Sequence, residues 1–167
     1  MRRAGRFRNA TETSLARGQR YLPSLRQIAT DAGLPSSIAL LPAIESSFTP
    51  NARGGASSRG LWQLRPPTAR RFGLVVNKNR DDRMHPLRAT EAAVRYLRYL
   101  HDRYDDWPLA LAAYNCGEGR VDRALMRSPG ATFWDLAEER HLPAISREYV
   151  PRFLALVRIA EEDEPTC

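Results

Sequence analysis

An all-α fold is what this sequence predicts, and three observations carry the prediction. Apolar residues recur at helical spacing along most of the chain. Proline and glycine punctuate it where helices would open and close. No stretch alternates apolar and polar residues as a half-buried strand would, and there is no internal repeat or linker. A length of 167 residues with 43% hydrophobic content suits one globular domain with one core.

The elements follow in order. Pro23 sits in the first turn of a helix through Leu25, Ile28 and Ala29, and Gly33 stops it. Ser36 or Ser37 caps the next helix, which carries Ile38, Leu41, Ile44 and Glu45. Pro42 lies inside that helix and is expected to bend it. Residues 48–60 form a loop containing Pro50, Gly54, Gly55 and Gly60. Pro66-Pro67-Thr68 opens a short helix ending at Gly73, and residues 74–85 are polar and irregular. A long helix from Pro86 to Tyr104 keeps Ala89, Ala93, Leu97 and Leu100 on one face. Trp107-Pro108 opens an alanine-rich helix whose small residues suit a central, closely packed position. Gly117 and Gly119 break it, Val121 and Leu125 continue in a new helix, and Tyr149, Phe153, Leu156 and Ile159 mark the last. Residues 1–18 read as a basic N-terminal extension and residues 161–167 as a frayed acidic tail, leaving 19–160 as the working domain.

Composition narrows the function. The net charge of +7 favours polyanionic surroundings such as nucleic acid, anionic lipid or acidic cell-wall polymers. Lys78 is the one lysine among 26 basic residues, and the arginines are interspersed with acids rather than gathered in a block, so no nucleic-acid partner is expected. No apolar run approaches the roughly 20 residues of a membrane span. The basic stretch at Met1–Arg8 has no apolar region after it and is not a complete secretory signal. Cys116 and Cys167 have no metal-ligand spacing, and His85, His101 and His141 are far apart, so neither metal nor cofactor is expected.

One acid stands out. Glu45 ends the apolar run Leu40-Leu41-Pro42-Ala43-Ile44, just before a loop rich in Gly, Ser and Asn. A half-buried carboxyl there resists ionisation, which is what a general acid at neutral pH requires. Three segments then carry polar groups beside apolar packing residues. They are Glu45-Ser46-Ser47-Phe48, Gly60-Leu61-Trp62-Gln63-Leu64 with Pro67-Thr68-Ala69, and Ala112-Ala113-Tyr114-Asn115-Cys116-Gly117-Glu118-Gly119-Arg120-Val121. Taken singly, each also reads as core aromatics with capping polar residues.

In this order the motifs resemble the catalytic domain of lytic transglycosylases of the lysozyme-like superfamily, and within it the membrane-bound lytic murein transglycosylase D type. The resemblance covers roughly residues 20–160, including Leu34-Pro35, Phe133-Trp134 and Glu148-Tyr149-Val150-Pro151. It implies a lysozyme-like helical domain with a glycan-binding cleft and Glu45 as the single catalytic acid and base. It implies that Ser46 sits beside Glu45, that Gln63, Tyr114 and Asn115 line the cleft, and that Tyr149 closes one wall. It further implies peptidoglycan glycan strands as the partner, a periplasmic or cell-envelope setting with secretion or phage assembly as possible contexts, and a monomer.

Two features bear on that resemblance. The family carries a serine where this chain has Gly54, and Ser57 or Ser58 is the available substitute. Cys116 fills a small-residue slot and reads as a packing thiol, because no His lies near it in sequence. The competing readings are a goose-type lysozyme-like hydrolase with Asp81 or Asp82 as second carboxylate, and a non-catalytic glycan-binding assembly module.

Overall fold

The computed structural model describes residues 2–162, and among them every regular element is helical. The α-helices are α1 Arg2–Gly18, α2 Leu22–Asp31, α3 Leu41–Glu45, α4 Pro66–Arg71, α5 Pro86–Tyr104, α6 Trp107–Cys116, α7 Glu118–Arg127, α8 Phe133–Glu138 and α9 Ala144–Glu162. The segments around them contain isolated antiparallel bridges, Arg53 with Arg59, Arg59 with Leu64 and Val76 with Asp81. The stretches expected to be irregular therefore have fixed cross-links of their own.

The described residues divide into two compact units. Tyr96–Leu154 forms the second, and the residues on either side of it form the first.

In the first unit, α2 opens with proline in its first turn, as expected. It closes on Gly33 at φ +71, with Leu34 N–H donating to Ala29 O at 2.9 Å. The following segment differs from its sequence reading. Ser36–Leu40 is a 3₁₀ turn with no side-chain cap, and α3 begins anew at Leu41. Pro42 thus lies in the first turn of α3, where a missing N–H costs nothing, and opens a helix instead of bending one. Ile38, Leu40 and Leu41 are buried.

Residues 2–18, read as an extension, form α1, which packs against α3. Its buried positions are the small residues Thr11, Ser14 and Gly18. Ser14 Oγ donates to Ala43 O at 3.3 Å, and a Cβ on Gly18 would lie 2.6 Å from the Phe48 ring. Glu162, the last residue of α9, accepts from Arg8 of α1 at 2.7 Å, so the start of the acidic stretch is helical. Residues 163–167, including Cys167, lie outside the described residues.

In the second unit, α6 is the central element. Leu109 through Ala113 are all buried, and α6 packs against α7 and α8. Asp106 caps it by accepting from Leu109 N–H at 2.7 Å. Gly117 at φ +90 separates α6 from α7, a conformation that favours glycine. Helix α8, which periodicity alone does not reveal, is opened by a capping box between Thr132 and Asp135.

Candidate active site

Glu45 is the last residue of α3 and is half-buried. The chain reverses directly behind it. Ser46 N–H and Phe48 N–H both donate to Pro42 O, at 3.0 and 3.1 Å, and Ser47 and Phe48 take φ of +50° and +54°. Two consecutive non-glycine residues in the left-handed region are strained, and the strain persists only because the surroundings fix it. Phe48 supplies much of that fixing: its ring is buried and lies against Gly18 of α1. Arg17 adds a bond from its guanidinium to Ser47 O at 3.3 Å.

Ser46, expected beside Glu45, is a tie. Its hydroxyl lies 2.9 Å from Leu61 O and 3.2 Å from Pro42 O, and it accepts from Thr49 N–H at 3.3 Å. The end of α3 is thereby bonded to the second motif. Within that motif Trp62 is a core residue, 1% exposed, with its indole N–H donating to Thr90 Oγ1 at 2.8 Å. Thr90 in turn donates to Pro86 O at 2.7 Å.

Gln63 sits at φ +50, and its amide is committed to the loop before it. Nε2 donates to Gly60 O at 2.8 Å and, at longer range, to Ala52 O at 3.4 Å. Oε1 accepts from Ser58 Oγ at 2.8 Å. The same group fills the space beside Gly54, where the resemblance implies a serine. Gly54 has φ −122, which any residue adopts, but a Cβ there would overlap Gln63 Oε1 and lie 2.5 Å from Ser58 Oγ. Ser58, 8% exposed, thus brings a hydroxyl into the space beside Gly54, whereas Ser57 is exposed.

Sequence reasoning did not single out Arg83, which is 4% exposed and underpins this loop. Its guanidinium donates to Ser57 O at 2.6 Å and Leu64 O at 3.1 Å, and pairs with Asp81 at 2.7 Å. Gly60, at φ +81, lies so close to Arg83 O that no side chain fits. Arg83 is one of many arginines in the sequence, and nothing local distinguishes it.

Asp81 and Asp82, the candidate second carboxylates, are both held by arginine. The Arg83 guanidinium beside Asp81 holds its carboxyl below the usual range, and Arg59 approaches the same group at 3.4 Å. Asp82 accepts from Arg80 at 2.8 Å, Arg88 at 3.0 Å and Val75 N–H at 3.0 Å. These bonds, Arg80's first, bring its carboxyl down to about 2, which makes it a poor base.

The remaining site residues belong to the second unit. Tyr114 and Asn115 end α6. The Tyr114 ring lies 5.4 Å from that of Tyr96, whose hydroxyl donates to Glu118 at 3.1 Å. Asn115 Oδ1 accepts from the fully buried Ser146 Oγ at 2.7 Å. Tyr149, 6% exposed, follows one turn later on α9. Cys116 is half-buried, and burial pushes its thiol up, away from the reactive thiolate. The structure thus joins Ser46 and Gln63 to one loop behind Glu45, and Asn115 to α9.

A strained turn presents the half-buried Glu45, braced by a cross-linked loop in a helical frame. Residues 24–136 match the model described as the transglycosylase SLT domain, and the chain belongs to that family. It is 39% identical over 136 residues to the membrane-bound lytic murein transglycosylase D of Escherichia coli (strain K12), covering 78% of this chain and 29% of that protein. A putative tributyltin chloride resistance protein of Alteromonas sp. (strain M-1) is 40% identical over 119 residues, covering 69% of this chain and 58% of that one. Among solved structures, an inactive mutant of the lytic transglycosylase Slt from Pseudomonas aeruginosa aligns with a TM-score of 0.71 at 28% identity. That alignment covers 85% of this chain and 24% of the other. The 70-kDa soluble lytic transglycosylase in complex with bulgecin A shares the fold, with a TM-score of 0.74 at 22% identity over 85% of this chain and 24% of the other. The chain spans less than a third of the length of the transglycosylase D relative.

Proposed function

We propose that this domain is a peptidoglycan lytic transglycosylase with Glu45 as its single catalytic acid and base. The observation that carries the reading is the setting of Glu45: half-buried at the end of α3, with its turn fixed by Phe48 and by the Ser46–Leu61 bond. Pre-organisation of this kind suits a group that must meet one oxygen in one geometry.

Glu45 protonates the glycosidic oxygen between MurNAc and GlcNAc. The substrate's own N-acetyl carbonyl stabilises the developing positive charge at the anomeric carbon. Glu45, now ionised, takes the proton of the MurNAc C6 hydroxyl as that oxygen attacks C1. The product is a 1,6-anhydroMurNAc end, and no water is consumed. The C6 hydroxyl is tethered to the reacting ring, which gives it a high effective concentration. Tyr114, Asn115 and Tyr149 contact the glycan, and Gln63 acts chiefly by holding the loop. The two carboxylates that a hydrolase could recruit are occupied by arginines, which supports the lyase route over hydrolysis. The matching of this domain to murein transglycosylases supports a cell-envelope setting; among the described residues no helix is long and apolar enough to cross a membrane.

Digestion of peptidoglycan in heavy-oxygen water tests the reading. Anhydro-muropeptides without label are expected. Label in the new glycan ends would establish hydrolysis and reject the lyase assignment.

A further inference from the structure

Among the described residues, two cavities each gather several arginines, and they differ in one respect. The first, in the first unit, is lined by Arg59, Arg70, Arg80 and Arg83 among others, and each of these has a bond within the fold. Arg59 and Arg83 hold Asp81, Arg80 holds Asp82, and Arg70 donates to Val76 O at 3.0 Å. Those arginines are accounted for by the loops they brace.

The second cavity, of about 290 Å³, lies in the second unit. Arg120, Arg123 and Arg127 from α7 line it together with Arg140 and His141 from the turn after α8. No carboxylate lines it. Among the described residues none of these four arginines is in an ion pair. Asp122 feels Arg123 electrostatically but gives its oxygens to Arg103, at 2.7 Å, and to Tyr104, at 2.9 Å. Glu139 is taken by Ser128, at 2.8 Å, and His141, at 3.2 Å. Four guanidinium groups gathered round one concavity repel one another, and the carboxylates nearest them, Asp122 and Glu139, spend their hydrogen bonds on other groups. Arg140 is held there at φ +57, a strained conformation for a non-glycine residue.

We infer that this cavity is a binding subsite for the carboxylates of an extended peptide, namely the peptide stems that peptidoglycan carries on its glycan strands. The choice of stem rests on the proposed function; the choice of carboxylate peptide rests on the cavity. Guanidinium groups recognise carboxylates bidentately. Positions 120 to 127 on α7 span about 10 Å, which an extended peptide of about three residues also spans. A single small anion needs no such row.

The test uses the full chain and a synthetic stem tripeptide containing D-glutamate and diaminopimelate, titrated by calorimetry. Binding that weakens as salt rises is expected, because the arginines are exposed. Arg123→Gln with Arg127→Gln should weaken it at least about tenfold with no fall in melting temperature, and Lys at both positions should restore part of the loss. No measurable binding by the wild type overturns the inference. So does equal binding by the Gln variant, or competition by inorganic phosphate at the same concentration as the peptide. This measurement does not depend on catalysis: hydrolytic products would reject the lyase reading and leave the subsite standing, and absent peptide binding would do the reverse.

Discussion

The pairing of Gly54 with Ser58 makes the most discriminating test of how the loop behind Glu45 is built. Gly54→Ser places a Cβ against Gln63 Oε1 and 2.5 Å from Ser58 Oγ. The backbone accepts the change, since φ is −122. The Gln63 amide does not, and must give up its bonds to Ser58 and Gly60 or swing away. Each lost bond from a partly buried group costs about 1 kcal/mol, and an acceptor left without a partner costs about 1–3 kcal/mol. Gly54→Ser should therefore destabilise by about 2 kcal/mol. Ser58→Ala, which leaves Gln63 Oε1 without its donor, should destabilise by about 1 kcal/mol.

The double variant decides the matter. Removing the Ser58 hydroxyl opens space for the amide to retreat, and the new hydroxyl at 54 can replace the lost donor. The double variant should be more stable than Gly54→Ser alone, with a coupling of at least about 1 kcal/mol between the sites. For a protein of this size that is a Tm difference of about 2–4 °C. Urea unfolding of the four proteins gives the cycle, and glycan-strand digestion shows whether activity follows. Additive effects within about 0.5 kcal/mol would refute the claim that the two hydroxyl positions compete for one amide.

Two further predictions rest on carboxyl groups. Glu45→Gln should abolish peptidoglycan turnover and leave the melting temperature within a few degrees, because the amide keeps the shape but is no acid; turnover above a trace in the folded variant would remove Glu45 from the mechanism. The folded-state carboxyls of Asp81 and Asp82 are depressed, the latter to about 2, so the unfolded chain binds more protons than the folded one in acid. The stabilisation from Asp82 is present above about pH 4 and is lost as pH falls toward about 2, with Asp81 acting in the same direction, so the urea midpoint should drop across that interval. Asp82→Asn should lower stability at neutral pH and flatten the drop, and an equally steep drop in that variant would show that other groups carry it.

What was legible in the sequence depended on the range of the interaction. The helix from Pro86 to Tyr104 is set by apolar periodicity and an opening proline, both local, and its bounds agree with α5. The stop at Gly33 and the breaks at Gly73 and Gly117 are also local, and all three glycines adopt positive φ. Helix α1 was not legible, because it is buried through Thr11, Ser14 and Gly18, whose small size matters only once Phe48 and Ala43 are known to lie against them. Pro42 was misplaced for a related reason: a proline after Ile38 and Leu41 in an apolar run looks internal until the 3₁₀ turn before it separates the two helices.

The candidate site divides in the same way. Glu45 stood out because an acid closing an apolar run is a local anomaly. Arg83 did not, because its burial follows from three partners, Ser57, Leu64 and Asp81, that only the folded loop assembles. The role of Gln63 changes for the same cause. As a sequence residue it is one polar group beside a tryptophan; in the fold both ends of its amide are spent on residues 58 and 60. A side chain with its donors and acceptor engaged shapes the loop more than it reads a ligand, so substitution by Glu, which keeps the length but cannot donate to Gly60 O, should disturb the loop before it alters any glycan contact.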